Sequence, residues 1–254
     1  MDHTLTETAS SLASPIVELR QYTLKPDKRE TLIGIFDREF VETQEAAGMS
    51  VIGQFRDLDR PDMFVWMRGF QDMETRRDAL TAFYDGPVWA RYRDAANGTM
   101  IDSDDVLLLK PAWPGAGFDL PRQQRPEAGK ASPENALGSI VEISIHHLRY
   151  GAEAGFAERF RAEAVPRLTA AGARLLGAFV TEHAENTFPR LPVRGGENVL
   201  VVLTAFLSEA AHGRFRDALA NSPTWRALLE ASRRDGAKPT ETFRLTPTAR
   251  SLLR

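Results

Sequence analysis

The chain has no cysteine, so disulfides, thiolate metal sites, iron–sulfur clusters and cysteine nucleophiles are all excluded. No apolar run approaches the roughly 18 residues needed to span a bilayer, and a membrane is not an expected partner. Basic charge is not in excess either. Thirty-two Lys and Arg stand against 35 Asp and Glu over 254 residues, a formal net charge of −3, so nucleic acid is not an expected partner. Residues 1–15 hold Asp2 and Glu7 but no Lys or Arg and no long apolar stretch; they read as a disordered polar tail, not a signal peptide. A cytoplasmic setting fits these absences. Phosphate-loop, GxSxG and HxxxH motifs are missing, and Gly115-Ala116-Gly117 neither follows a strand nor opens a helix.

What the sequence does contain is a repeat. Ile16-Val17-Glu18-Leu19 returns as Ile140-Val141-Glu142-Ile143, and Gly48, Gly53 and Phe55 return at the same offset as Gly172, Gly177 and Phe179. After an insertion around Glu185 to Gly196, Phe70, Pro87, Trp89 and Pro111 match Phe206, Pro223, Trp225 and Pro247. A single change of offset in a Pro- and Gly-rich segment is what a lengthened loop in a duplicated unit produces.

Each copy reads as strand, helix, strand, strand, helix, strand. In Ile140 to His147 the apolar residues Val141, Ile143 and Ile145 alternate with Glu142, Ser144 and His146. Leu32, Ile35, Phe36 and Phe40 make one helical stripe, and Phe156, Phe160, Ala164 and Leu168 make its counterpart, with Pro166 expected to kink or break that helix. Gly48 and Gly172 fall at helix C-caps, and Ser222-Pro223 is a helix start. Short closing strands are expected at Val106 to Leu109 and Thr242 to Leu245. The expected fold is α+β: two tandem ferredoxin-like βαββαβ units, residues 16–111 and 139–248, joined by a linker over 112–138. Such a unit carries both helices on one face of its sheet. The bare faces of two units can therefore cover each other, enclosing a pocket between the sheets in a pseudo-dimeric α/β barrel.

Several short motifs lie in order along this frame: Val17-Glu18-Leu19-Arg20-Gln21-Tyr22, Phe64-Val65-Trp66, Gly86-Pro87-Val88-Trp89 and Leu108-Leu109-Lys110-Pro111. On these residues the chain resembles the NIPSNAP family of the dimeric α/β-barrel superfamily, with the second half as a diverged copy. Arg20, Tyr22, Trp66 and Arg68 correspond there to Ser144, His146, Val202 and Thr204, while Glu18 is kept as Glu142. The resemblance implies the fold. Its superfamily includes oxygenases, cyclases, isomerases and haem proteins, and some NIPSNAP relatives are described as interaction or signalling proteins.

The candidate site residues follow from the strand faces. Glu18, Arg20 and Tyr22 share a face opposite Val17 and Leu19. With the apolar face on the helices, they would line the intersheet pocket, Arg20 holding a polar group and Glu18 or Tyr22 moving a proton. The competing reading is a buried Glu–Arg pair with a structural role. His146, with Glu142 on its face, is the foremost general-base candidate, against a rim histidine bonded to a neighbour. Trp66 and Arg68 would orient a planar substrate, or simply pack. His147 points the other way, and the shared position of Trp89 and Trp225 argues for packing. The reading is an enzyme for a hydrophobic small molecule, using cofactor-independent proton transfer, cyclisation or oxygenation and no metal. A non-catalytic interaction protein is the alternative, and an open or filled intersheet space separates the two. A haem protein ligated by His146 or His212 is the third reading, and exposed sheet edges leave a homodimer open.

Overall fold

The structure is a computed structural model and describes residues 14–120, 125–127 and 138–254. The alternating segments form strands β1 (Ile16–Leu24), β2 (Ser50–Asp57), β3 (Met63–Phe70) and β4 (Met100–Pro111), then β5 (Ile140–His147), β6 (Arg174–Thr181), β7 (Val199–Phe206) and β8 (Glu241–Pro247). They close into one barrel in the order β1-β3-β2-β8-β5-β7-β6-β4, antiparallel at every pairing. Both last strands exceed the sequence expectation, β4 most of all. Its Met100 to Asp105 stretch is polar and half-exposed, and carries no apolar alternation to read.

Two seams join the halves. At one, Phe55, Arg56 and Asp57 of β2 pair with Pro247, Thr246 and Leu245 of β8. At the other, Phe179, Val180 and Thr181 of β6 pair with Pro111, Lys110 and Leu109 of β4. Each residue of the first seam maps onto the second at the offsets of the sequence repeat. The tails agree: Thr248 donates its N–H to the Gln54 carbonyl, and Ala112 does the same to Ala178. Phe118 and Leu120 after β4, and Leu252 and Leu253 after β8, pack into the barrel's apolar cluster. The first part of the expected linker is therefore core. Residues 121–124 and 128–137 of that linker, and 1–13 of the expected tail, lie outside the described residues.

Helices cover the outside. In the first half α1 (Arg29–Ile35) runs through a π-helical turn, Phe36–Phe40, into α2 (Val41–Ala46); α3 (Met73–Tyr84) and α4 (Pro87–Asn97) follow β3. The second half repeats this with α5 (Glu153–Arg159), a π-helical turn Phe160–Ala164, α6 (Val165–Ala170), α7 (Glu209–Ala220) and α8 (Pro223–Ser232). Local chemistry fixes their ends. Asp72 and Thr75 form a reciprocal cap on α3, and the hydroxyls of Ser208 and Ser222 accept from the backbones of Ala211 and Trp225. Gly48 and Gly172 turn the chain after α2 and α6 with φ of +98° and +103°, a region other residues avoid. Pro166 does not break its helix. It lies in the first turn of α6, just past the π turn, and the equivalent first-half helix, with Glu42 at that position, makes the same turn without it.

The strand faces are reversed from the sequence expectation. The barrel interior is one dry cluster that includes Val17, Leu19, Val65 and Met67 from the first half and Val141, Ile143, Val201 and Leu203 from the second. The space between the sheets is thus filled, and Glu18, Arg20, Tyr22, Trp66, Arg68, Glu142 and His146 alternate with these residues toward the helices instead. The cause is a difference between the two layers. No helix reaches the interior of a closed eight-stranded barrel, so nothing there could pair a charge, and only apolar side chains are tolerated. On the outer face, helices bring donors and acceptors of their own.

Candidate functional site

Under the helices of the first half, Glu18 is completely buried and accepts from three arginines. Arg20 Nη1 and Arg68 Nε each lie 2.7 Å from its Oε2, and Arg76 Nε lies 2.7 Å from its Oε1. Further acceptors hold the guanidiniums: Tyr22 Oη for Arg20 at 3.0 Å, Gln44 Oε1 for Arg68 at 3.2 Å, and Asn186 Oδ1 for Arg76 at 3.0 Å. Burial alone would raise the Glu18 carboxyl, but Arg68, Arg20 and Arg76 override it and hold the group well below the usual carboxylate range. Burial also raises the Tyr22 phenol. Neither group is poised to exchange a proton near neutral pH. Trp66 and Phe36 fill the remaining space at a ring separation of 4.7 Å, with Phe40 against Trp89 at 5.6 Å. The paired, buried arrangement is the one that this region adopts, and Glu18, Arg20, Trp66 and Arg68 line neither the cavity beside Tyr22 nor the one beside His146.

A smaller cavity of about 270 Å³ remains beside Tyr22, Tyr84 and Trp89. The long connection from β6 to β7, which the sequence marks as an insertion, closes over it. Phe188 lies 5.8 Å from the Tyr84 ring and nearly parallel to it, Thr187 Oγ1 donates to the Met73 carbonyl at 2.9 Å, and Arg190 pairs with Asp85 at 2.7 Å.

The same place in the second half is hollow. A cavity of about 520 Å³ lies between the end of β5, the helix running from α5 to α6, α8, and the segment before β8. Side chains that fill the first half have smaller counterparts here: Phe40 corresponds to Ala164, which lines the cavity, and Trp66 to Val202. Arg20 and Arg68 become Ser144 and Thr204, while Arg76 becomes His212, whose Nε2 lies 2.7 Å from Glu142 Oε2. Glu142 therefore supports the core beneath the cavity and does not line it, and His212, buried against Glu142, is not a free ligand for haem.

His146 forms part of the cavity wall. Thr240 Oγ1 lies 3.2 Å from its Nδ1, and Phe156 and Phe160 stand 5.6 and 5.3 Å from its ring. Nε2 has no hydrogen-bond partner among the described residues. Burial, with a smaller effect from His147, pushes the ring's pKa down to about 4, so the imidazole is neutral at pH 7. The other face of the cavity is α8. Its Trp225, Leu228 and Leu229 point at the void, and no residue of this helix is buried. The equivalent α4 buries Ala96 completely.

Of the residues selected from the sequence, the structure places only His146 on this cavity. His147 was passed over but also lines it, with Nε2 2.5 Å from Glu241 Oε1 and Nδ1 3.3 Å from Glu197 Oε2. Trp225, assigned to packing, lines it as well, as do Phe160, Thr240 and Arg159. One signal was available: an alanine at position 164 where the other copy has Phe40, on the inward stripe of an otherwise matching helix.

No protein of curated function matches the chain. Among solved structures, a proposed monooxygenase from Fusobacterium nucleatum aligns over 93% of this chain and 94% of its own at 9% identity, with a TM-score of 0.59. A proposed monooxygenase from Lactobacillus acidophilus covers 92% and 94% at 12% identity, with a TM-score of 0.55. An anthrone oxidase-like protein covers 94% of both chains at 12% identity, with a TM-score of 0.52. At these identities the likeness is one of fold. In sequence, residues 17–113 match the NIPSNAP family model, so the half that carries the family's pattern is the filled one, and the cavity lies in the half beyond it.

Proposed function

We propose that this protein is a small-molecule enzyme of the dimeric α/β-barrel type, built from two fused ferredoxin-like units over 16–111 and 139–248, with its site in the second. The observation that carries this reading is the cavity of about 520 Å³, in the size range of small-molecule sites, with a neutral imidazole in a wall of both apolar and polar side chains. His146 accepts a proton from an activated C–H or phenolic O–H of a hydrophobic substrate. This is the opening step shared by cofactor-independent oxygenation, cyclisation and isomerisation. A ring with a pKa of about 4 is a weak base in the empty site. An anion forming on the substrate beside it restores its basicity, because opposite charges in contact stabilise one another. The oxygenase-like neighbours are consistent with such chemistry.

A thermal-shift and isothermal-titration screen against aromatic and polyketide-like metabolites tests this. Ligands that raise the melting temperature of the parent protein should lose affinity with Ala164→Phe, which fills the cavity, and lose turnover but not binding with His146→Phe. Binding that Ala164→Phe leaves intact would place the site elsewhere. A non-catalytic binding or interaction protein is the second reading, favoured by the filled space between the sheets and by the absence of a second acid or base within hydrogen-bond reach of His146 among the described residues. It is the result if ligands bind and none is converted.

A further inference from the structure

Resting on the reading of this cavity as a small-molecule site, we infer that its ligand is a planar aromatic molecule bearing a carboxylate or equivalent fixed anion. The ring lies between His146, Phe160 and Trp225, and the anion lies toward Arg159, Arg233 and Lys238.

The argument starts from the charges on the wall. Arg159, Arg233 and Lys238 line the cavity, and among the described residues no Asp or Glu does. Each cation has a carboxylate partner set back from the wall: Asp235 for Arg159, Glu230 for Arg233 at 3.1 Å, and Glu197 for Lys238 at 3.6 Å. Those partners do not exhaust the cations, because a guanidinium has five N–H donors and an ammonium three, and one carboxylate occupies two at most. A bound anion completes the set. A bound cation meets the three like charges first, with their carboxylates set behind them.

The first half shows that these charges are no by-product of the fold. At the offsets that superpose the two seams, Arg159, Arg233 and Lys238 correspond to Ile35, Asn97 and Asp102. The register holds locally, since Arg149 donates to the Asp235 carbonyl as Lys25 does to Thr99, and the Leu148–Gly236 bridge matches the Leu24–Met100 pair. All three cations appear only in the hollow half. The aromatic part of the inference comes from the opposite walls. His146 and Phe160 stand on one side and the apolar face of α8, bearing Trp225 and Leu228, on the other. That helix has no buried residue to pack it down and gains its missing contacts from a flat apolar body between the walls. Exposed Leu229, Lys238 and Thr240 give the ligand a way in.

The test is titration of the whole protein with three probes sharing one ring: 2-naphthoate, 2-naphthylmethanol and 2-naphthylmethylamine. Naphthoate should bind about tenfold more tightly than the alcohol, and the amine more weakly than either. Arg233→Gln, at an exposed position that the core does not need, should erase much of the acid's advantage while leaving the alcohol unchanged. Arg159→Lys should keep more of it than Arg159→Gln. Raised salt should weaken the acid alone. Equal binding of acid and alcohol would overturn the anion and leave the cavity reading standing. Failure of all three probes, or binding that survives Ala164→Phe, would overturn the cavity reading and this inference with it.

Discussion

The two halves of this protein share an order of elements, a pair of π turns and equivalent seams, yet they treat the space under their helices in opposite ways. In the first half that space holds one carboxylate, three guanidiniums and a run of packed rings, with a loop from the other half closed over what remains. In the second it holds the Glu142–His212 pair and a void walled in part by His146. A backbone does not decide whether such a layer is core or receptor; a few side-chain volumes do. The three-arginine arrangement also depends on a single group, because Glu18 is the one carboxylate that all three buried guanidiniums share. The Glu142–His212 pair asks for much less.

Equivalent positions make this contrast measurable. Glu18→Gln keeps the shape and removes the charge that Arg20, Arg68 and Arg76 share, and should cost about 3–5 kcal/mol, seen as a lower urea midpoint or loss of soluble protein. Glu142→Gln, facing only His212, should cost about 1–2 kcal/mol. Equal losses would break the comparison at its strongest point. The tryptophans come next. Trp89 packs among Phe40, Phe83 and Tyr84, so Trp89→Ala should cost about 3 kcal/mol, whereas Trp225 faces a void and its replacement about 1 kcal/mol or less, with ligand affinity lost instead.

The pH dependence of His146 is a further difference between the halves. Its folded pKa of about 4 lies below the ordinary 6.5, so the unfolded chain binds the proton first as acid is added. The contribution is whole above pH 6.5, shrinks as pH falls toward 4, and amounts to about 1–2 kcal/mol once water in the cavity is allowed for. Asp37, pushed up by burial to about 6, acts in the opposite sense over the same interval. Glu18 is held too low to titrate there. The measurement is therefore a difference: His146→Phe should lose less melting temperature than the parent between pH 7 and 4.5. Parallel curves would mean that the ring is already well solvated.

Much of the fold was legible in the sequence because it rests on local and periodic signals. Alternation located the strands, Gly48 and Gly172 ended helices, Ser222-Pro223 began one, and the repeat gave the seams their common offset. What alternation does not carry is the sense of a face. It states that Val17 and Glu18 point opposite ways, and not which of them meets the other half. That choice depends on Arg76 and Gln44 arriving from helices distant in sequence to satisfy the charges, which no window around β1 contains. The candidate site suffered accordingly. His146 was found because histidine is conspicuous, while Trp225, Phe160 and Thr240 were missed because a cavity is made by what is small nearby. The π turns left no mark either, since their residues read as ordinary amphipathic helix.

The two seams between the halves lie within a single polypeptide. When such a barrel is assembled from two identical chains, one gene dictates both sides, and any change that hollows one hollows the other as well. Covalent continuity lifts that constraint. One side can be spent entirely on rigidity while its twin gives up packing and keeps a cavity, and dilution cannot separate the packed half from the hollow one.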